Sequence, residues 1–158
     1  MSGLRSGLFR IVLVAGLAGP GLLASNVLAA GFAARADEPE AFDVQTRGAL
    51  RDVITKQLAA FGRDDGTEAE KFASPALREK FPDPAGFLDM VKENYAPLVK
   101  PRSTHFEETS DSPHGPLQKM TVVASDGTVW TVVYAFERVD GEWRISGCGI
   151  MKQESQDI

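Results

Sequence analysis

Apolar residues along the chain recur first at helical spacing and then, past Arg102, at alternate positions. Leu50, Val53, Ile54, Leu58 and Phe61 share one face of a helix expected over about Val44–Phe61. Asp64-Asp65-Gly66 ends it, and Thr67-Glu68-Ala69-Glu70 reads as a capping box for a short second helix reaching Phe72. The stretch "ASPALREKFPDP", Ala73–Pro84, holds three prolines. Ser74-Pro75 and Asp83-Pro84 each place a capping side chain before a proline at the first helical position. Each proline also disfavours helix in the residue before it. The pattern therefore predicts two helix restarts: a short turn over Ala76–Phe81, then a third helix from Pro84 to about Tyr95. Phe87, Leu88, Met90, Val91 and Tyr95 form its apolar face. The breaks turn the chain, and the segment is expected to form an ordered wall at the mouth of a cavity.

Four strands follow: "STHFEE", "LQKMTVVAS", "TVWTVVYAFERV" and "EWRISGCGIM". Asp126-Gly127 and Asp140-Gly141 read as two-residue hairpin turns with positive φ at both central residues. Helices first and an antiparallel sheet afterwards predict an α+β domain with its helices on one face of the sheet.

The first 36 residues have a different character. Arg5 and Arg10 precede the apolar run "IVLVAGLAGPGLLASNVLAAGFAA", and Ala34-Arg35-Ala36 supplies a small-residue cleavage site before "DEPE". This is the pattern of a secretory signal peptide over residues 1–36, with one domain over 37–158. It implies a periplasmic or secreted protein with no membrane attachment after cleavage. The alternative is a retained inner-membrane anchor, since the run is long enough to span a bilayer. Gly16, Gly19, Pro20, Gly21, Ser25 and Asn26 interrupt it. No cysteine stands at the cleavage site, which excludes a lipoprotein.

Cleavage takes the 17 basic residues to 14 against 22 acidic ones, a net charge of −8. That balance excludes nucleic acid as a partner, because phosphate binding needs a positive face. Cys148 is the one cysteine, so the domain has no intrachain disulfide and holds together by its core.

The segments "ITKQLAAF", "FASPALREKF", "FLDMVKENYAPL" and "DGTVWTVVYAFERVDGEWRISGC" resemble the DUF4864 family, a bacterial group of unknown function. The likeness runs from about Leu50 to Met151. The order of elements also resembles NTF2-like, cystatin-like cones, in which a bent antiparallel sheet closes around a long helix. The resemblance implies a curved sheet of about four strands with the N-terminal helices packed against it. That superfamily hosts isomerases, dehydratases and plain binding modules, so the fold alone does not supply the function.

Gln57 lies in the middle of the apolar stripe of the first helix, where an amide must find partners. It is a candidate to line the cone and contact a ligand; a structural bond to a neighbouring backbone is the other reading. Trp130, Val132, Tyr134 and Phe136 share a strand face by period two. They read as core or as an aromatic pocket wall, with Tyr134 and Tyr95 offering hydroxyls. The candidate ligand-binding residues are thus Gln57, Tyr95, Trp130 and Tyr134. His105 and His114 are the only histidines. His105 is a candidate general base on a strand, and His114 sits in a solvated loop. No His-x-His, His-Glu-x-x-His or Cys-x-x-Cys spacing points to a metal. No phosphate loop or Gly-x-Ser-x-Gly elbow is present, and no cofactor is expected. Cys148 reads as a small buried filler, with Gly147 and Gly149 beside it suggesting a bulge.

The expected function is a non-catalytic binding module. It would take a small apolar ligand or a protein partner in a cone cavity or on the sheet face, where a second copy could also pair. The alternative is a small isomerase- or hydrolase-type enzyme with its site inside the cone.

Overall fold

The computed structural model describes residues 42–154. The leader expected over residues 1–36 lies outside the described residues. Asp43 starts the helical layer: its carboxylate accepts from the Thr46 amide at 2.8 Å and caps α1, Val44–Gly62. The helix buries Leu50, Ile54, Gln57, Ala60 and Phe61, the face anticipated from spacing. Asp64, at φ 58°, turns the chain out of it.

The second helix, α2 (Gly66–Glu70), is capped two residues earlier than expected. Asp65, not Thr67, accepts from the Glu68 amide, at 2.9 Å. The reason is tertiary. Gly66 takes the first helical position against the start of the fourth helix, where a β-carbon would stand 2.3 Å from the Pro84 carbonyl oxygen.

Both proline restarts are present. Ser74 Oγ accepts from the Leu77 amide at 3.3 Å and opens α3, Pro75–Arg78. Asp83 Oδ1 accepts from the Gly86 amide at 2.7 Å and opens α4, Pro84–Asn94. A single 3₁₀ turn, Ala96–Leu98, then carries the chain to the sheet.

The sheet runs β1 (Ser103–Ser110), β2 (Leu117–Val123), β3 (Val129–Val139) and β4 (Glu142–Lys152), antiparallel and in chain order. The β3–β4 turn has Asp140 at φ 52° and Gly141 at φ 82°, the double left-handed pair expected of a two-residue hairpin. The β2–β3 turn differs. Of its Asp126-Gly127 pair only Gly127 is left-handed, at φ 89°, and the loop is longer. The Gly127 amide bonds Ala124 O at 2.9 Å, while Asp126 Oδ1 accepts from the Thr128 amide and hydroxyl. That side-chain bond closes the turn in a way the dipeptide alone does not specify.

Two bulges bend the sheet. On β1 the register slips between Phe106 and Thr109, and on β4 Ser146 is the unpaired residue between Ile145 and Gly147. The outer edge of β4 is covered by the chain between α2 and α3: the Ser74 amide bonds Ile145 O, and the Ile145 amide bonds Phe72 O, both at 2.8 Å. The core lies between this curved sheet and the helices, and includes Leu50, Ile54, Phe61, Phe87, Val91, Met120, Val132 and Phe136.

Candidate functional site

A cavity of about 60 Å³ lies between α1, α4 and the paired strands β3 and β4. Its walls are mainly apolar, from Phe61, Leu77, Phe87 and Met90 among others. Leu77 comes from α3, so the proline-bounded segment does contribute to the wall. Four polar side chains also face it: Gln57, Tyr95, Tyr134 and Cys148.

Each is positioned by a different element. Gln57, on the buried face of α1, donates from Nε2 to Ala69 O at 3.3 Å. Tyr95 ends α4, and its hydroxyl donates to Cys148 O at 3.0 Å. Tyr134 on β3 is 1 % exposed and pairs directly with Cys148 on β4. Its hydroxyl lies within interaction range of the weakly accepting Cys148 thiol, and it meets no other hydrogen-bond partner among the described residues.

Cys148 is half-buried as a residue, with its thiol turned inward. The bulge at Ser146 makes this possible. Ile145 and Cys148 are three residues apart and would otherwise point to opposite faces. Burial pushes the thiol up to about 12, opposed by the neighbouring Tyr134 hydroxyl. Burial likewise raises the Tyr134 phenol well above its usual 10, with Cys148 adding to the effect. Tyr95 moves the same way, again through burial first. All four polar groups are therefore uncharged at neutral pH, and among the described residues no carboxylate, histidine, lysine or arginine lines the cavity.

Gln57, Tyr95 and Tyr134 thus come together, and Trp130 stays apart. Trp130 shares the inward face of β3, but it stands four residue steps from Tyr134 along the strand, about 13 Å at about 3.3 Å per residue. It borders a shallow depression beside Asn94 and Pro97 at the end of α4, and its Nε1 donates to Thr128 Oγ1 at 2.8 Å. His105 is exposed and opposite Thr121, on the other face of the sheet from Phe106. A role for it inside the cone is excluded by that alternation. His114 is exposed in its loop. Among the described residues no group of three His, Cys, Asp or Glu side chains is arranged to hold a metal.

A wider groove of about 730 Å³ opens to solvent between the first half of α1 and the β3–β4 hairpin. Its charges largely answer one another: Lys56 pairs with Asp52, Lys71 with Glu68, and Arg144 with Glu142. Arg138 stacks on Trp143 at 4.4 Å. Exposed pairs of this kind leave little net field to concentrate a ligand.

Another polar residue faces inward without any expectation from the sequence. Gln118 on β2 is fully buried. Its Oε1 accepts from Arg51 Nε at 3.3 Å and Thr109 Oγ1 at 2.8 Å; its Nε2 faces the carbonyls of Glu107, Glu108 and Lys119. It ties α1 to the β1 bulge. Its spacing of two from Met120 and four from Val122 marked the inward position, but not these partners.

The family model described as "Domain of unknown function (DUF4864)" matches residues 43–158. Among solved structures, the chain is similar to an NTF2-like protein of unknown function from Shewanella baltica OS155. The two are 13% identical, with 71% of this chain and 97% of that one covered and a TM-score of 0.50. At that identity the likeness establishes the fold alone: α+β, NTF2-like. No curated protein matches.

Proposed function

The chain belongs to the DUF4864 family, and from its geometry we propose that it binds a small molecule in the cavity beneath α1 and α4 without catalysing a reaction. The observation that carries this reading is the cavity itself: at about 60 Å³ it is far smaller than a drug-sized pocket, but its apolar walls with a few uncharged polar groups have the lining chemistry of a small-molecule site. An isomerase or hydrolase would need a general base or an activated nucleophile there. Burial instead holds Tyr134 and Cys148 in their protonated forms. Native mass spectrometry of the protein purified from its own cells tests the proposal. A retained small-molecule mass is expected; an empty protein whose cavity resonances respond to no small organic probe would overturn it.

A second reading has its own support. Thr131, Val133 and Ala135 face away from the core opposite Met151, Gly149 and Gly147. Met151 is 67 % exposed. The small side chains of this face beside the exposed Met151 suit a second copy of the chain, and the same spectrum reports the subunit count.

We further propose export with removal of residues 1–36, on the strength of the leader pattern. Among the described residues no helix is long and apolar enough to cross a membrane. N-terminal sequencing should read Asp37-Glu38-Pro39, and a full-length species held in the inner membrane would refute the assignment.

A further inference from the structure

We propose that the cavity selects a small uncharged molecule carrying one hydrogen-bond acceptor, and that the Tyr134 hydroxyl is the donor that receives it. This rests on the cavity-binding reading above.

The argument starts from which polar groups are already engaged. The Tyr95 hydroxyl is committed to Cys148 O, and the Gln57 amide spends one of its two N–H groups on Ala69 O, leaving the Tyr134 hydroxyl as the most deeply buried donor without a strong acceptor. The Tyr134 hydroxyl has at most the weak Cys148 thiol as a partner among the described residues, although its residue is 1 % exposed. Buried hydroxyls are nearly always paired, so an orphan at a cavity wall indicates a missing partner. A protonated phenol in this position acts as a donor, which makes the missing partner an acceptor. Burial and the neighbouring thiol both favour that protonated form.

The Cys148 thiol stands beside the hydroxyl, and it too stays protonated. A ligand acceptor that reaches the hydroxyl replaces the thiol as its neighbour, so Cys148 competes for the donor.

Charge and size narrow the ligand further. With no cation in the lining among the described residues, a carboxylate would enter without a counter-charge and lose its hydration. A water needs about 10–15 Å³ of such space, so 60 Å³ accommodates roughly four to six heavy atoms.

The test uses the exported domain with isotope-labelled methionine and leucine methyl groups. Three probes of matched size are titrated: cyclopentanone, cyclopentane and butyrate. Cyclopentanone should bind about tenfold more tightly than cyclopentane, and butyrate should not bind. Tyr134→Phe should bring cyclopentanone down to the level of cyclopentane and leave cyclopentane unchanged. Cys148→Ala should strengthen cyclopentanone binding severalfold by opening the hydroxyl. Equal binding of ketone and alkane by the native protein, or butyrate binding as tightly as the ketone, would overturn the proposed class while leaving the cavity a binding site. No response at Met90 or Leu77 to any probe would overturn both readings.

Discussion

Replacing Gln118 with leucine tests how α1 is tied to the β1 bulge. The substitution keeps the side-chain volume close while removing every polar atom of the amide. Five contacts disappear: two into Oε1 from Arg51 and Thr109, and three from Nε2 to the carbonyls of Glu107, Glu108 and Lys119. Nε2 has two hydrogens, so its three contacts amount to two bonds, and the net loss is four. Glu107 O keeps the Arg51 Nη2 bond at 3.0 Å. At about 1 kcal/mol per net bond the ceiling is about 4 kcal/mol. The β1 edge is open enough for water to repair part of this, which brings the expectation to about 2–4 kcal/mol. Urea unfolding would register it as a midpoint lower by roughly 1–2 M for a slope of about 2 kcal/mol/M. Amide exchange at Glu107, Glu108 and Thr109 should quicken in parallel, since the bulge loses its internal anchor. A loss below 0.5 kcal/mol with unchanged exchange would show that the strand holds its bulge without Gln118.

Three further expectations concern separate parts of the fold. Ser74→Ala should destabilise the domain by about 0.5–2 kcal/mol in denaturant unfolding, because it removes the cap of α3; no change would mean that the Ser74 amide bond to Ile145 O holds the segment unaided. The Cys148 thiol, pushed up to about 12, should resist a polar alkylating reagent at neutral pH in the native protein and react promptly once unfolded; rapid native labelling would contradict its burial. Glu107 titrates below its usual 4.5 because Thr121 and then Lys119 hydrogen-bond its carboxylate, so its contribution is present above 4.5 and is lost as pH falls through its lower folded value. Glu107→Gln should therefore flatten the acid limb of a stability–pH curve below that point, and an unaltered limb would assign acid lability to other carboxylates.

What the sequence revealed about this molecule divides along the line between local and distant causes. The caps at Ser74 and Asp83 and the turn at Asp140-Gly141 depend on backbone conformation and a side chain within three residues, and they were legible as written. The cap of α2 was not, because Gly66 is required there by Pro84 from another helix. The Asp126-Gly127 turn has the same dipeptide logic as its counterpart but a different outcome, decided by the Asp126 bond to Thr128.

The cavity follows the same division at a larger scale. Gln57 stood out as a polar residue inside an apolar stripe, and Tyr95 and Tyr134 as hydroxyls on inward faces. Trp130 satisfied the same period-two rule and yet falls elsewhere, because alternation assigns a face and says nothing of position along the strand. The pairing that defines the polar end of the cavity depends on Ser146. One unpaired residue there changes the phase of β4, so that Ile145 and Cys148 both point inward and the thiol meets Tyr134. Gly147 and Gly149 hinted at such an irregularity, but the strand that registers against it lies on the other side of a hairpin. A β4 without the bulge would turn Cys148 outward, bring Gly147 opposite Tyr134, and take the thiol away from its hydroxyl.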